Sequence, residues 1–246
     1  MCEQAAREDL IRLYERYWPA LVQLAADTEA EEQPLTGPHL ICPSAAYFQQ
    51  DKRLLVVGQD TQGWDWLNRV VAGEPREEIE GLMRDYSGCI GTLRSGLFWQ
   101  GVRHFQEQLE IDGEVAWTNL NKIAQQPLSG SGWHPRREIQ ERVLSGFPVL
   151  PLEVQIIKPN MALFLSGPDF DHHIRTLFPG VEFREIGNYG ERVVAQVVHT
   201  DLPRASLRLY HPQGMRLHGL DEERWLLQWV LRGLEWGERN PDRSLG

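Results

Sequence analysis

The sequence predicts an α/β fold in which a central four-stranded parallel sheet is covered by helices on both faces. Three observations support this prediction. Four short apolar runs recur along the chain, segments with helical periodicity separate them, and each run ends in a distinctive polar loop. Strands that alternate with helices favour a parallel sheet buried on both sides. We therefore expect a three-layer α/β/α sandwich that binds ligands at the carboxyl ends of its strands.

The individual elements follow from the spacing of apolar residues. The four strands are predicted near residues 53–58, 114–119, 161–166 and 205–210. Helices are predicted at 5–27, 65–85, 97–109, 136–146 and 219–236, with a further helix beginning in PDFDHHIRTLF at residue 168. The segment 28–50 has the composition of a loop, and the segment 147–160 is predicted to lead into the third strand.

Three local features refine these assignments. Pro19 lies inside the first helix and is predicted to kink it or to divide it in two. Asp169 or Asp171 is a candidate cap for the helix that begins at residue 168. Two alternating segments flank Asn188-Tyr189-Gly190, a pattern that predicts a β-hairpin.

Length and composition exclude several classes of protein. The chain has 246 residues with ordinary apolar and charged fractions, which excludes a disordered chain or a coiled coil. It has no run of 18 apolar residues, no basic and apolar leader, and three cysteines without CxxC spacing. We expect a cytoplasmic monomer with no membrane segment. We also expect one domain over 1–246, comprising an N-terminal helical extension and loop (1–50) and a core (52–236).

The charge distribution leaves nucleic-acid binding open. The net charge of −10 argues against phosphate binding, yet three stretches contain no acidic residue: 86–106, 115–137 and 202–220. Basic residues in these stretches are predicted to form a positive rim: Lys122, Arg136, Arg137, Arg208 and Arg216. Of these, Lys122, Arg208 and Arg216 are the candidate contacts to a nucleic-acid backbone. The alternative is that the charges cluster by chance.

Three of the polar loops carry candidate site residues. GQDTQGW places Asp60 just beyond a strand, where a carboxylate could orient a water or stabilise a cation. TNLNK offers Asn119 and Asn121, whose amides suit the edge of a base, with the strand register left open. YHPQGMR puts His211 at the end of the last strand, where it could donate to a developing anion. Each residue could equally have a turn-forming or structural role.

The fourth loop, SGPDFDHH, has two aspartates and two histidines within five positions. A metal site is conceivable with this composition. The aspartates are also explained as residues that begin a helix, and adjacent histidines usually point apart. We therefore predict no metal ion.

The ordered set of motifs resembles the uracil-DNA glycosylase superfamily over about residues 52–218. GQDTQGW is similar to the family-1 motif GQDPYHG. SGLFWQG resembles the PFVG segment of the iron–sulfur branch, and VAWTNLNKIAQQP is similar to its YITNVVKCRPP. LEVQIIKPNMALFLSG resembles the helix and third strand of that branch, and LRLYHPQGM resembles the closing HPSPL or HPSYL motif.

The resemblance implies the uracil-DNA glycosylase fold, DNA as the partner, and base excision in DNA repair as the function. It implies that Asp60 activates water or stabilises the sugar cation, and that His211 stabilises the departing base. Phe98 would stack on the base and Asn119 would bond its edge. Met215, with Leu217 beside it, would fill the gap that a flipped base leaves. The implied contacts to the substrate also include Gly58, Gln59 and Gln62.

Two departures from the family pattern affect this reading. Thr61 and Gln62 stand where family 1 has Pro-Tyr, and that tyrosine excludes the thymine methyl group, so the base that is excised stays open. The position after Lys122 is Ile123 rather than a cysteine, so we expect no iron–sulfur cluster and no other cofactor.

Two other classes of function remain. One is a catalytically weak member of the fold that binds nucleic acid or a protein. The other is a glycosidase that acts on another modified base or on a free nucleoside. The acidic composition favours both slightly, whereas Asp60 favours catalysis because a protein that only binds does not need it.

Overall fold

The computed structural model describes residues 3–30, 35–61, 65–92, 96–125, 137–186, 190–212 and 214. Its helices and strands follow in chain order: α1 (Glu3–Ala30), β1 (Leu35–Thr36), α2 (Ala45–Gln49), β2 (Leu54–Asp60), α3 (Leu67–Val70), α4 (Pro75–Thr92), α5 (Leu97–Gln108), β3 (Ala116–Asn121), β4 (Ala124–Gln125), α6 (Arg137–Gly146), α7 (Leu150–Ile157), β5 (Met161–Phe164), α8 (Asp171–Leu177), β6 (Glu182–Glu185), β7 (Val194–Val198) and β8 (Ala205–Leu209). A short 3₁₀ helix, Pro168–Phe170, precedes α8.

The protein is an α/β protein built on a mixed sheet of six strands in the order β3-β2-β5-β8-β7-β6. Its first four strands are parallel to one another, which confirms the four predicted parallel strands and the central place of Leu55, Val56 and Val57. The prediction of a four-stranded sheet was wrong. The predicted hairpin forms β6 and β7, and β7 extends the sheet by pairing antiparallel with β8.

Helices contribute to an apolar cluster on each side of this sheet. Leu55 and Val57 of β2 belong to one cluster, and Leu54 and Val56 belong to the other, as expected where successive side chains point to opposite faces. Residues from α1, α4, α6, α7 and α8 complete the first cluster. Residues from α5 complete the second cluster, and this places α5 on the face that Gly58 and Asp60 share.

Several local predictions require correction. Pro19 does not divide the first helix in two, because α1 runs from residue 3 to residue 30 without interruption. The predicted loop 28–50 contains β1 and α2, and the predicted helix 65–85 forms two helices, α3 and α4. The segment after residue 147 forms α7 before it reaches β5, with a proline in the first turn where its missing N–H is harmless.

Neither candidate aspartate caps α8 through its side chain, because the Asp171 carboxylate pairs with Arg208 instead. The predicted helix at 219–236 and residues 188–189 of the hairpin turn lie outside the described residues. Within the described ranges, none of the helices has both the length and the apolar composition that crossing a bilayer requires.

Candidate active site

Gly58, Asn119 and Phe98 meet at the carboxyl end of the parallel strands. Gly58 of β2 pairs in register with Asn119 of β3. A Cβ atom at Gly58 would overlap Asn119 Oδ1 and would lie 3.5 Å from Phe98 Cε2. Only glycine therefore lets the Asn119 amide cross the β2 backbone and lets the Phe98 ring approach it.

His211 joins this group through the same aromatic ring. The rings of Phe98 and His211 are stacked, with centroids 5.6 Å apart and planes inclined by 25°. The segment after β8 is also held against α5, because a Cβ at Gly101 would lie 2.6 Å from Pro212 Cγ. Burial lowers the pKa of His211, which favours the neutral form of its imidazole.

Asp60 lies on the same face of the sheet as Asn119. It pairs in register with Asn121, and the Asn121 amide donates a hydrogen bond to Asp60 Oδ1. Side chains two positions apart on a strand point to the same face, so Gly58, Asp60 and both asparagines share it. Gln59 lies on the opposite face and donates from Nε2 to the Ser166 carbonyl oxygen at 2.7 Å.

Several buried polar atoms without partners lie at this end of the sheet, and others, such as Trp18 Nε1 and the Tyr47 hydroxyl, lie elsewhere in the described residues. The Asn119 amide nitrogen, the Asn121 amide oxygen and the Thr61 hydroxyl lie at the sheet end without a hydrogen-bond partner. Both ring nitrogens of His173, which follows β5, also have none. Buried polar groups are nearly always hydrogen-bonded, so several orphans in one place mark a position where a ligand or water supplies the partner.

We call this group of residues the strand-end cluster; its members are Asp60, Phe98, Asn119, Asn121, His173 and His211. Four of them were predicted as site residues, and the structure brings these four to one end of the sheet. The register places both asparagines on this face: Asn119 lies beside Gly58, near the Phe98 ring, and Asn121 bonds Asp60.

His173 is the member that sequence reasoning missed. It is 1% exposed, and burial lowers its pKa to about 4, helped by His172, whereas the Asp60 carboxylate acts in the opposite direction. The pair of histidines in SGPDFDHH was considered only as a metal site. Their position after a predicted core strand was the signal that could have placed one of them beside Asp60.

The prediction that Lys122 contacts a nucleic-acid backbone is wrong. Lys122 is 1% exposed and its ammonium bonds both oxygens of Glu153, at 2.6 and 2.8 Å. It also donates to the Thr118 hydroxyl, and the Tyr14 hydroxyl donates to Glu153 at 2.8 Å. Fully buried and paired, the ammonium cannot reach a phosphate at the surface.

Arg208 requires the same correction. Its guanidinium is fully buried and binds both carboxylate oxygens of Asp171, at 3.0 and 3.2 Å. It also donates to the carbonyl oxygens of Glu191 and Arg192 at 2.6 and 2.9 Å. These bonds join β8, α8 and the segment before β7, so Arg208 has a structural role.

The remaining predicted contacts divide into two groups. Arg137 is exposed and pairs with Glu141 one helical turn away, at 2.9 Å. The other four, predicted as substrate or backbone contacts, lie outside the described residues: Gln62, Arg136, Met215 and Arg216.

The candidate metal ligands in SGPDFDHH are engaged elsewhere or dispersed. Asp171 binds Arg208, and the exposed His172 has Nδ1 3.0 Å from the Asp169 carbonyl oxygen. Across the described part of the chain, no three His, Cys, Asp or Glu side chains are grouped so that they could hold a metal ion.

Comparison with models of known protein families gave no match, and comparison with curated proteins gave none either. The functional argument therefore depends on the geometry of the strand-end cluster.

Proposed function

We propose that the protein is a DNA N-glycosylase that hydrolyses the bond between deoxyribose and uracil, or a related modified base, after flipping the nucleotide out of the stack. The observation that carries the proposal is the meeting of Phe98, Asn119 and His211 with Asp60 at the carboxyl ends of parallel strands. The motifs that suggested a uracil-DNA glycosylase fold are far apart in sequence, and their convergence supports that fold as part of the proposal.

The side chains provide separate contacts for a flipped base. The base would stack on the Phe98 ring, one face of which lies against His211. The Asn119 amide nitrogen is buried and has no partner, so a carbonyl oxygen on the base edge would satisfy it. Met215, outside the described residues, would fill the space that the base leaves in the duplex.

Two residues stabilise the charges that develop during the reaction. As the C1′–N bond breaks, its electron pair leaves with the base and positive charge develops on the sugar. Neutral His211 donates to the base oxygen that becomes anionic, an effect of about 3 kcal/mol for a well-placed donor. The Asp60 carboxylate stabilises the sugar cation. Water then adds to C1′, and Asp60 receives its proton.

The burial of Lys122 and Arg208 changes the predicted contact with DNA. Neither can neutralise a phosphate, so the positive rim loses two of its five proposed members. The proposal therefore assigns backbone contacts to Arg137 and to Arg136 and Arg216, which lie outside the described residues. Each phosphate contact contributes nearly one unit to the slope of log affinity against log salt.

The test is base release from oligonucleotides that carry a single uracil, as single strands and as duplexes, followed by alkali cleavage at abasic sites. Matched oligonucleotides with thymine or cytosine in that position are the controls, and free deoxyuridine is a parallel substrate. Cleavage only at uracil supports the proposal. Release from deoxyuridine alone identifies a nucleosidase instead, and salt-dependent binding without any release identifies a binding protein.

A further inference from the structure

His173 has hydrogen-bonding capacity that its surroundings do not use. Its side chain is almost completely buried, yet neither Nδ1 nor Nε2 has a hydrogen-bond partner. In the described part of the chain, His39 is the other fully buried histidine, and its Nε2 lies 3.3 Å from the Trp117 carbonyl oxygen. Burying an imidazole without partners costs free energy, so a purely structural residue at position 173 would be better apolar.

The segment from β5 to α8, the helix that carries His173, lies between the ends of β2 and β8. At its start, the Ser166 carbonyl accepts a hydrogen bond from Gln59, the neighbour of Asp60. Gly167 N donates to the Leu209 carbonyl at 2.9 Å, two residues before His211. These two bonds place the start of the segment at the ends of both strands, and the Asp60 carboxylate acts electrostatically on His173.

The orientation of His173 is fixed from three sides. Asp171, two positions earlier, is clamped by the buried Arg208. Ile174, the next residue, is fully buried in the apolar cluster. The ring of Phe170 lies with its centroid 5.0 Å from that of His173. The imidazole therefore loses little further entropy when it binds a small ligand.

We infer that His173 and Asp60 together hold the water that attacks the sugar, with His173 as a positioning residue. This inference rests on the proposed function. A neutral imidazole has one donor and one acceptor nitrogen, so it can accept a hydrogen bond from the water and donate one to a neighbouring oxygen. The water oxygen forms its bond to C1′ once the C1′–N bond has broken. The departing base takes that bond's electron pair, and the water proton passes to the Asp60 carboxylate.

A double-mutant cycle with Asp60 tests the inference. His173→Leu should lower kcat about 100-fold with KM nearly unchanged, because it removes the orientation of water rather than contacts to the base. In the Asp60→Asn background the same change should cost less than about threefold, because the water is already misplaced. His199→Leu, at a histidine whose Nε2 lies 3.2 Å from the Pro179 carbonyl oxygen, is the control and should leave kcat unchanged.

Two conservative variants separate positioning from folding. His173→Asn and His173→Gln keep a donor and an acceptor near the places of Nδ1 and Nε2, and at least one should recover about tenfold of the lost kcat. If His173→Leu does not fold, these two variants are compared in both backgrounds. They should then lose less kcat in the Asp60→Asn background than in the wild type.

The outcomes distinguish the two proposals. Wild-type kcat in the folded His173→Leu variant, or equal losses in both backgrounds, overturns the role of His173 alone. If the wild-type protein releases no base from any oligonucleotide, the proposed function fails and the inference fails with it.

Discussion

The strand-end cluster and the Lys122–Glu153 ion pair both bury polar side chains next to β3, but they differ in how those side chains are satisfied. Around Lys122, the ammonium and both Glu153 oxygens have partners, with Thr118 and Tyr14 completing the network. In the strand-end cluster, atoms of Asn119, Asn121 and His173 have none.

This difference distinguishes buried polar groups that stabilise the fold from buried polar groups that are available to bind a ligand. Buried charge is tolerated where its hydrogen bonds are complete, and the Lys122 network therefore holds α1, β3 and α7 together without exposing reactive groups. Unpaired buried groups lower stability and persist where a bound molecule completes them. We therefore expect mutations in the two regions to affect different observables.

The largest effect is expected at Lys122. Lys122→Met leaves Glu153 buried without its cation, which should lower the free energy of unfolding by about 3–5 kcal/mol. Urea unfolding followed by circular dichroism measures the change. The double variant Lys122→Met/Glu153→Leu should recover most of it, and the folded fraction should release base at the wild-type rate. A loss below about 1 kcal/mol would contradict the role assigned to the pair.

His211 should show the opposite behaviour. His211→Ala removes the donor to the departing base, so kcat should fall about 10²–10³-fold while KM and the melting temperature change little. Single-turnover kinetics on a uracil oligonucleotide measures this, with His172→Ala as control. A large loss of stability with unchanged kcat would place His211 among the structural residues.

A smaller effect is expected at Gly58. In Gly58→Ala, the new methyl group overlaps Asn119 Oδ1 and displaces the amide that reads the base, so kcat/KM should fall about 10- to 100-fold. Gly88→Ala is the matched control, because a Cβ at this exposed helical position meets no atom within 4 Å. It should leave activity intact and stabilise α4 slightly. Equal kcat/KM for the two variants would show that Asn119 does not contact the base.

The smallest effect is a pH dependence that originates at His173. The folded pKa of about 4 lies below the unfolded value, so the unfolded chain binds the proton first. The contribution of His173 to the free energy of unfolding is therefore complete above about pH 6.5. As the pH falls towards 4, the free energy of unfolding decreases by at most about 1.4 kcal/mol per pH unit.

His173→Gln has no group that titrates in this range, so its free energy of unfolding can be compared with that of the wild type. Its free energy of unfolding should rise relative to that of the wild type as the pH is lowered through the same interval. Urea unfolding at several pH values tests this. A difference between the two proteins that does not change with pH would show that His173 titrates normally in the folded state.

The sequence predicted the parts of the fold that depend on local periodicity. The apolar runs that form β2, β3, β5 and β8 are buried on both faces and are easily recognised. The hairpin was recognised too, but not its pairing with β8, because local alternation does not reveal which edge a hairpin joins. The unbroken α1 shows that packing against four other helices can outweigh an internal proline.

Three members of the candidate site were predicted because they directly follow strand ends: Asp60, Asn119 and His211. Phe98, on α5, was predicted only through the family resemblance. Lys122 and Arg208 were misassigned because basic residues in acid-free stretches suggest an exposed rim. Their partners are distant in sequence: Glu153 lies 31 positions after Lys122, and Asp171 lies 37 positions before Arg208. His173 was missed because the adjacent histidines were considered only as metal ligands, although they follow a predicted core strand.

The measurement that tests the central claim most directly compares rate and affinity in Asp60→Asn. The strand-end cluster is proposed to act on charge that exists only in the transition state. Single-turnover base release should therefore slow about 10²–10³-fold while the Kd for the uracil oligonucleotide stays within about threefold of the wild-type value. Asp169→Asn, at an exposed aspartate paired with Arg192, is the control and should change neither. Base release at the wild-type rate by Asp60→Asn would contradict the account.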